Sequence, residues 1–85
     1  MDKKQPKVIV YSTSWCGFCH SLMHWLDKQG VAYEEVDVEA DPAANEEMLR
    51  RTKGQFVVPV TAIGEDTVVG FDRPGIKAAL KKYTN

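Results

Sequence analysis

One stretch limits the fold of this chain more than any other. Lys7-Val8-Ile9-Val10-Tyr11 is a continuous apolar, β-branched run. A strand with one solvated face alternates apolar and polar residues, so a run without alternation belongs to a strand buried on both faces. Ser12-Thr13-Ser14 then breaks the pattern. A helical period takes over across roughly residues 17–29, where Cys19, Leu22, Met23 and Leu26 fall at i, i+3, i+4 and i+7 and form one apolar face. Gly30 stands where a helix-terminating glycine belongs.

The remainder continues the alternation. Val31 to Val38 reads as a second strand, less apolar than the first and therefore nearer the sheet edge. Asp41-Pro42 combines a capping side chain with a first-turn proline, a strong helix start. Glu46 and Glu47 come early in that helix and Arg50 and Arg51 late, the order that suits the helix dipole. Gly54 is expected to close it. Val57 to Ile63 reads as a third strand entered through Pro59. Gly64-Glu65-Asp66 is a turn, and Thr67 to Gly70 a fourth strand completing a hairpin. Asp72 caps a last helix whose apolar positions Ile76, Ala79, Leu80 and Tyr83 share one face. The order is β-α-β-α-β-β-α. Its first half calls for a right-handed crossover between parallel strands, and its second half adds an antiparallel hairpin. The expected architecture is α/β, a four-stranded mixed sheet flanked by three helices. Residues 1–6 are expected to be a flexible tail and residues 7–85 a single domain.

Composition narrows the function classes. At 85 residues the chain can bury only about 60–65% of its unfolded surface, which allows one modest core. Eleven basic and twelve acidic residues give a net charge of -1, so no strong field draws nucleic acid or an anionic membrane. The basic N-terminal stretch precedes an apolar run, Val8 to Val10, far too short for a signal segment or a membrane span. A cytoplasmic location is expected.

Chemistry enters with the two cysteines. Cys16 and Cys19 are three positions apart, so a bridge between them closes a tiny loop and adds little chain-entropy stabilisation. Close spacing suits reactivity better than stapling. Ser14-Trp15-Cys16-Gly17-Phe18-Cys19 lies between the buried strand and the first helix. Cys16 falls at the helix N-terminal edge, where backbone N–H groups lack intrahelical partners and the dipole favours negative charge. Both effects stabilise a thiolate, the nucleophilic form. In such motifs the first cysteine drops from about 8.5 into roughly the 3.5–7.5 range. Gly17 leaves Cys16 uncovered, while Cys19, one turn on, falls on the apolar face. The expected division of labour is attack by Cys16 and resolution by Cys19. A C-x-x-C following the first strand of a βαβ unit points to thiol–disulfide chemistry. A metal reading stands beside it, because His20 and His24 extend the pattern to C-x-x-C-H-x-x-x-H. On a helical wheel His20, His24 and Asp27 share a flank turned away from Cys16. A solvated polar flank is favoured there, and no metal is assigned.

These features together resemble the glutaredoxin family over nearly the whole chain, from Lys7 to Tyr83. Three motifs carry the resemblance in order: Cys16-Gly17-Phe18-Cys19 after the first strand, Val58-Pro59 before the third, and Gly70-Phe71-Asp72 before the last helix. The resemblance implies a thioredoxin-like fold and a cis Pro59 facing the reactive cysteine. It implies that the Val58 backbone pairs with an extended substrate. It also implies that Gly70, Phe71 and Asp72 hold the γ-glutamyl end of glutathione, and that Gln55 lies near its glycine carboxylate. Trp15 and Phe18 flank the cysteines, either as an apolar rim against a protein substrate or as packing at the helix start.

The sequence also departs from the glutathione-using pattern. Thr13 stands where many such members have lysine, and Phe56-Val57 where they often have Arg-Thr. Lys53 is a nearby cation. Gly70-Phe71-Asp72-Arg73-Pro74 is also similar to the Gly-Phe-Arg-Pro stretch of glutaredoxin-like reductants of ribonucleotide reductase, which thioredoxin reductase recharges. The expectation is a monomeric thiol–disulfide oxidoreductase. It reduces protein disulfides, or mixed disulfides with a low-molecular-weight thiol. It has no tightly bound cofactor, takes glutathione or another small thiol as a possible co-substrate, and draws electrons from a thiol or flavin reductase system. Nucleic acid and membrane are not expected partners. The rival expectations are an iron–sulfur cluster carrier using Cys16 and external thiols, and a docking module using Val58-Pro59 without turnover.

Overall fold

The computed structural model describes residues 6–84. Of the tail expected over residues 1–6, all but Pro6 lies outside the described residues. Seven elements follow in the expected order: β1 (Val8–Ser12), α1 (Gly17–Lys28), β2 (Glu34–Asp37), α2 (Pro42–Arg51), β3 (Val60–Ile63), β4 (Asp66–Val69) and α3 (Arg73–Thr84). The sheet order is β2-β1-β3-β4. β1 and β2 run parallel, and β1–β3 and β3–β4 are antiparallel. The apolar run is thus an interior strand and the less apolar one an edge, as their compositions predict.

Both faces of β1 are covered. Val8 and Val10 pack with Leu22, Met23 and Leu26 of α1 and with Ile76 and Ala79 of α3. On the other face Tyr11 packs with Ala44 and Met48 of α2, and Ile9 is half-buried against the same cluster. The period of two along the strand divides its side chains between the layers.

Two strands are shorter than their sequence patterns, each for a local reason. Val31 does not join β2. Its N–H donates to Leu26 O at 3.0 Å, and the Gly30 N–H donates to Asp27 O at 3.1 Å. With Gly30 at φ 73°, this is a left-handed helix stop whose two bonds satisfy the last carbonyls of α1. Val31 is used by the cap and packs back on the core beside Leu26. β3 begins at Val60 rather than Val57, because pairing with β1 starts at Tyr11↔Val60 and Pro59 has no N–H to give a ladder.

The helix ends follow their signals with one shift. Asp41 Oδ1 accepts from the Ala43 N–H at 3.1 Å at the start of α2. At its end the Gly54 N–H donates to Leu49 O at 2.7 Å, but Lys53 at φ 60° takes the left-handed position just before it. Gly54 therefore closes the helix one residue later than a terminating glycine usually does.

The hairpin turn is held by the last helix. Asp66 pairs with Ile63 and so belongs to β4 rather than to the turn. Gly64 sits at φ 59°, and a Cβ placed on it would lie 2.7 Å from the Tyr83 ring. The Tyr83 hydroxyl accepts from the Glu65 N–H at 3.1 Å, and Lys82 Nζ donates to Asp66 Oδ2 at 2.9 Å. Gly64→Ala is accordingly expected to lower unfolding free energy by about 1–3 kcal/mol. It combines a left-handed backbone with displacement of a packed ring. Urea denaturation followed by far-UV circular dichroism reads this loss.

Among the described residues no helix is long and apolar enough to cross a membrane.

Candidate active site

The cysteines sit where a buried strand hands over to a helix. β1 ends at Ser12, and the Cys16 N–H donates to Thr13 O at 3.3 Å, turning the chain into α1. Cys16 is the N-cap residue of α1, with extended backbone at φ -88° and ψ 106°. Its sulfur performs the task a serine or aspartate oxygen usually performs there: the Cys19 N–H donates to Cys16 Sγ at 3.1 Å. An otherwise unpartnered first-turn donor is therefore aimed at the sulfur expected to carry negative charge. The two cysteines are bridged, with Cα atoms 5.3 Å apart.

One expectation is corrected. Cys16 is not uncovered in this oxidised state: the residue is only 5% exposed and belongs to the buried core with Cys19, Val58 packing alongside. Its sulfur is bonded to Cys19, so a glycine at 17 does not by itself open it.

The flanking aromatics resolve as a rim. Trp15 is 64% exposed and Phe18 71% exposed, so neither is helix-start packing. With Phe56 and Val58 they surround a shallow groove of about 310 Å³ beside Cys16. Gly17 and Val57 complete its lining, and none of the lining residues is charged. In the sequence Phe56 registers only as a departure from a family pattern, and Val57 as such a departure and as the start of a strand. Their place in the groove comes from the loop before Pro59. Thr52 shapes that loop: its hydroxyl donates to Gln55 O at 2.6 Å and accepts from the Gln55 N–H at 3.2 Å. Gln55 itself is exposed.

The Val58–Pro59 peptide bond is cis, as the resemblance implies. Pro59 O accepts from the Gly70 N–H at 2.8 Å, tying the proline loop to the glycine–aspartate segment. Asp72 caps α3, accepting from the Gly75 N–H at 3.0 Å. A Cβ on Gly75 would lie 2.5 Å from the Asp72 carboxylate, so a larger residue there would make the capping side chain shift. Phe71 meets Trp25 edge to face with centroids 6.3 Å apart, and the Arg73 guanidinium lies 5.6 Å from the Phe71 ring centre. Trp25 is thus a packing residue. Thr13 is buried, so the position where glutathione-using members often carry lysine brings no charge to the site.

His20 and His24 are exposed on α1, with His20 Nε2 3.5 Å from Ser14 O. Among the described residues no group of three or more His, Cys, Asp and Glu side chains is placed to hold a metal.

The glutaredoxin family model matches residues 8–68, from the first strand into the second strand of the hairpin. The chain belongs to the glutaredoxin family. A glutaredoxin of Pseudomonas aeruginosa is 34% identical over 67 residues, 79% of each chain. A solved thioredoxin-like protein superposes with a TM-score of 0.79 at 31% identity, covering 87% of this chain and all of that one. The glutaredoxin-like NrdH-redoxin of Escherichia coli, whose structure was solved to explain a thioredoxin-like activity profile, superposes with a TM-score of 0.74 at 25% identity, covering 85% and 92% of the two chains. With the Cys16–Cys19 pair at the head of α1, this glutaredoxin is a thiol–disulfide oxidoreductase. Members of the family use glutathione as a co-substrate and act on disulfides.

Proposed function

We propose that this glutaredoxin reduces polypeptide disulfides by the two-cysteine route, with Cys16 as nucleophile and Cys19 as resolving thiol. The observation that carries the proposal is the uncharged groove of Trp15, Phe18, Phe56, Val57 and Val58 beside Cys16. Such a wall matches apolar side chains next to a cystine. It offers no cation to the carboxylates of a small, multiply charged thiol.

The steps balance without a bound cofactor. The Cys16 thiolate attacks one sulfur of the substrate disulfide. That S–S bond breaks, and the departing thiolate takes a proton from solvent. Cys19 loses its proton and attacks Cys16 Sγ. The mixed disulfide breaks, the second substrate thiol leaves, and the Cys16–Cys19 bridge remains. The pair has given up two electrons, which an external reductant restores. The Val58 backbone, just before Pro59, holds the substrate segment extended during attack. Gly70, which is bonded to Pro59 O, and Phe71 and Asp72 are the further contacts that the family resemblance implies, and Gln55 lies on the loop leading to Pro59. The molecule works as a monomer in a reducing compartment, the cytoplasm. A small thiol such as glutathione is a poorer co-substrate here, because Thr13 and Phe56-Val57 replace polar contacts that would hold it. The similarity to NrdH-redoxin supports the same preference.

A coupled NADPH assay on one polypeptide disulfide tests this, comparing thioredoxin reductase alone, glutathione with its reductase, and mycothiol with its reductase. Thioredoxin reductase is expected to sustain turnover at least about tenfold faster than either small-thiol system, the factor of one lost charge-assisted contact. Faster turnover with either small thiol overturns the donor assignment.

A further inference from the structure

Glu39 lies outside the groove, yet it is joined to it. The Trp15 indole N–H is shared between both oxygens of the Glu39 carboxylate, at 3.1 Å each. Trp15 is a large apolar side chain left mostly in water, immediately before the nucleophilic cysteine. A ring so placed has several rotamers open to it, and only some of them keep it as a wall of the groove. The Glu39 contact selects one. A single hydrogen bond, even a neutral one, favours one rotamer of an exposed ring over the others several-fold, so it can hold Trp15 in place.

Glu39 is itself held. It follows β2, where the Glu39 N–H donates to Asp37 Oδ1 at 2.8 Å and the Asp41 N–H donates to Asp37 O at 2.9 Å. Asp37 is paired in the sheet with Ser12, the last residue of β1, and the Val38 N–H donates to Ser12 O at 3.0 Å. The Glu39 carboxylate thus rises from a turn locked to the strand that delivers Cys16. A continuous path runs from Ser12 through Asp37 and Glu39 to Trp15, and returns along the chain to Cys16.

We infer that Glu39 is a positioning residue for substrate: it fixes the Trp15 ring as one wall of the groove that receives the segment beside the target disulfide. The inference rests on the reading that polypeptide disulfides dock in that groove.

The test pairs two substitutions with two readouts. Glu39→Ala removes the acceptor. Glu39→Gln keeps one acceptor oxygen and removes the charge. In steady-state assays on a polypeptide disulfide, Glu39→Ala is expected to raise KM about five- to tenfold, with the loss falling on KM rather than kcat, as for an interaction made in binding. Glu39→Gln is expected to stay within about twofold of the unsubstituted chain, because a single neutral hydrogen bond still orients the ring. In ¹H–¹⁵N spectra the Trp15 indole resonance moves in Glu39→Ala, while that of Trp25, packed on Phe71, stays in place. Turnover by the unsubstituted chain with an unmoved KM in Glu39→Ala overturns the inference. A Glu39→Gln variant as impaired as Glu39→Ala overturns it too, because charge rather than ring placement would then matter. If the unsubstituted chain turns over no polypeptide disulfide, the underlying functional reading fails instead, a result distinguishable from either of these.

Discussion

Cys16→Ser is expected to lower disulfide reductase activity by at least about a thousandfold. A serine hydroxyl at the same N-cap position keeps the helix capped but supplies no thiolate, and the first covalent step is lost. Stability should hardly change, since serine is itself a preferred N-cap and accepts the Cys19 N–H that Cys16 Sγ now accepts. Cys19→Ser behaves differently. It leaves the attacking sulfur and removes the resolving one, so a mixed disulfide between Cys16 and the substrate accumulates and is detectable by intact-protein mass spectrometry. Equal loss in both variants with no trapped adduct would show that the two sulfurs are not divided as attacker and resolver.

The second large effect is on stability. Leu22→Ala is expected to cost about 2–5 kcal/mol. Leu22 is fully buried on α1, in the core that joins β1, α1 and α3 around the cysteines. A small domain has roughly 5–10 kcal/mol in total, so this one truncation uses a large share of it. The midpoint of urea unfolding should fall with an unchanged slope. A loss below about 1 kcal/mol would mean that the layer formed by α1 and α3 collapses to fill the gap. The cysteine pair would then rest on a looser support than its burial indicates.

The parts legible in the sequence are those set by local pattern. The run Val8 to Tyr11 marks an interior strand because burial on both faces removes alternation, and β1 is interior. Asp41-Pro42 and Asp72 mark helix starts because capping is a matter of a few adjacent residues, and both cap as expected. Local pattern also misled. Val31 looks like strand by composition, but the terminus of α1 uses its N–H first. Val57 and Val58 look like strand as well, but they precede the cis proline and line the groove. What the sequence could not offer are contacts between residues far apart. Glu39 on Trp15 spans 24 positions, and Tyr83 on Gly64 joins a helix end to a hairpin turn. Nothing within a few residues of either partner marks such a contact. Exposure was equally hidden: Trp15 and Phe18 on a helix start read as rim or as packing until their surroundings are known.

The proposed chemistry depends on one asymmetry, in which Cys16 is the more reactive sulfur. The helix start accounts for it, through the Cys19 N–H and the dipole acting on a sulfur at the N-cap. The most direct test is pulse alkylation of the fully reduced protein with iodoacetamide over a range of pH, with each label mapped to its cysteine. Cys16 is expected to be labelled first, with a rate midpoint below about 8.5, the value of an ordinary cysteine. Labelling of Cys19 before Cys16, or a Cys16 midpoint at or above that value, would contradict it.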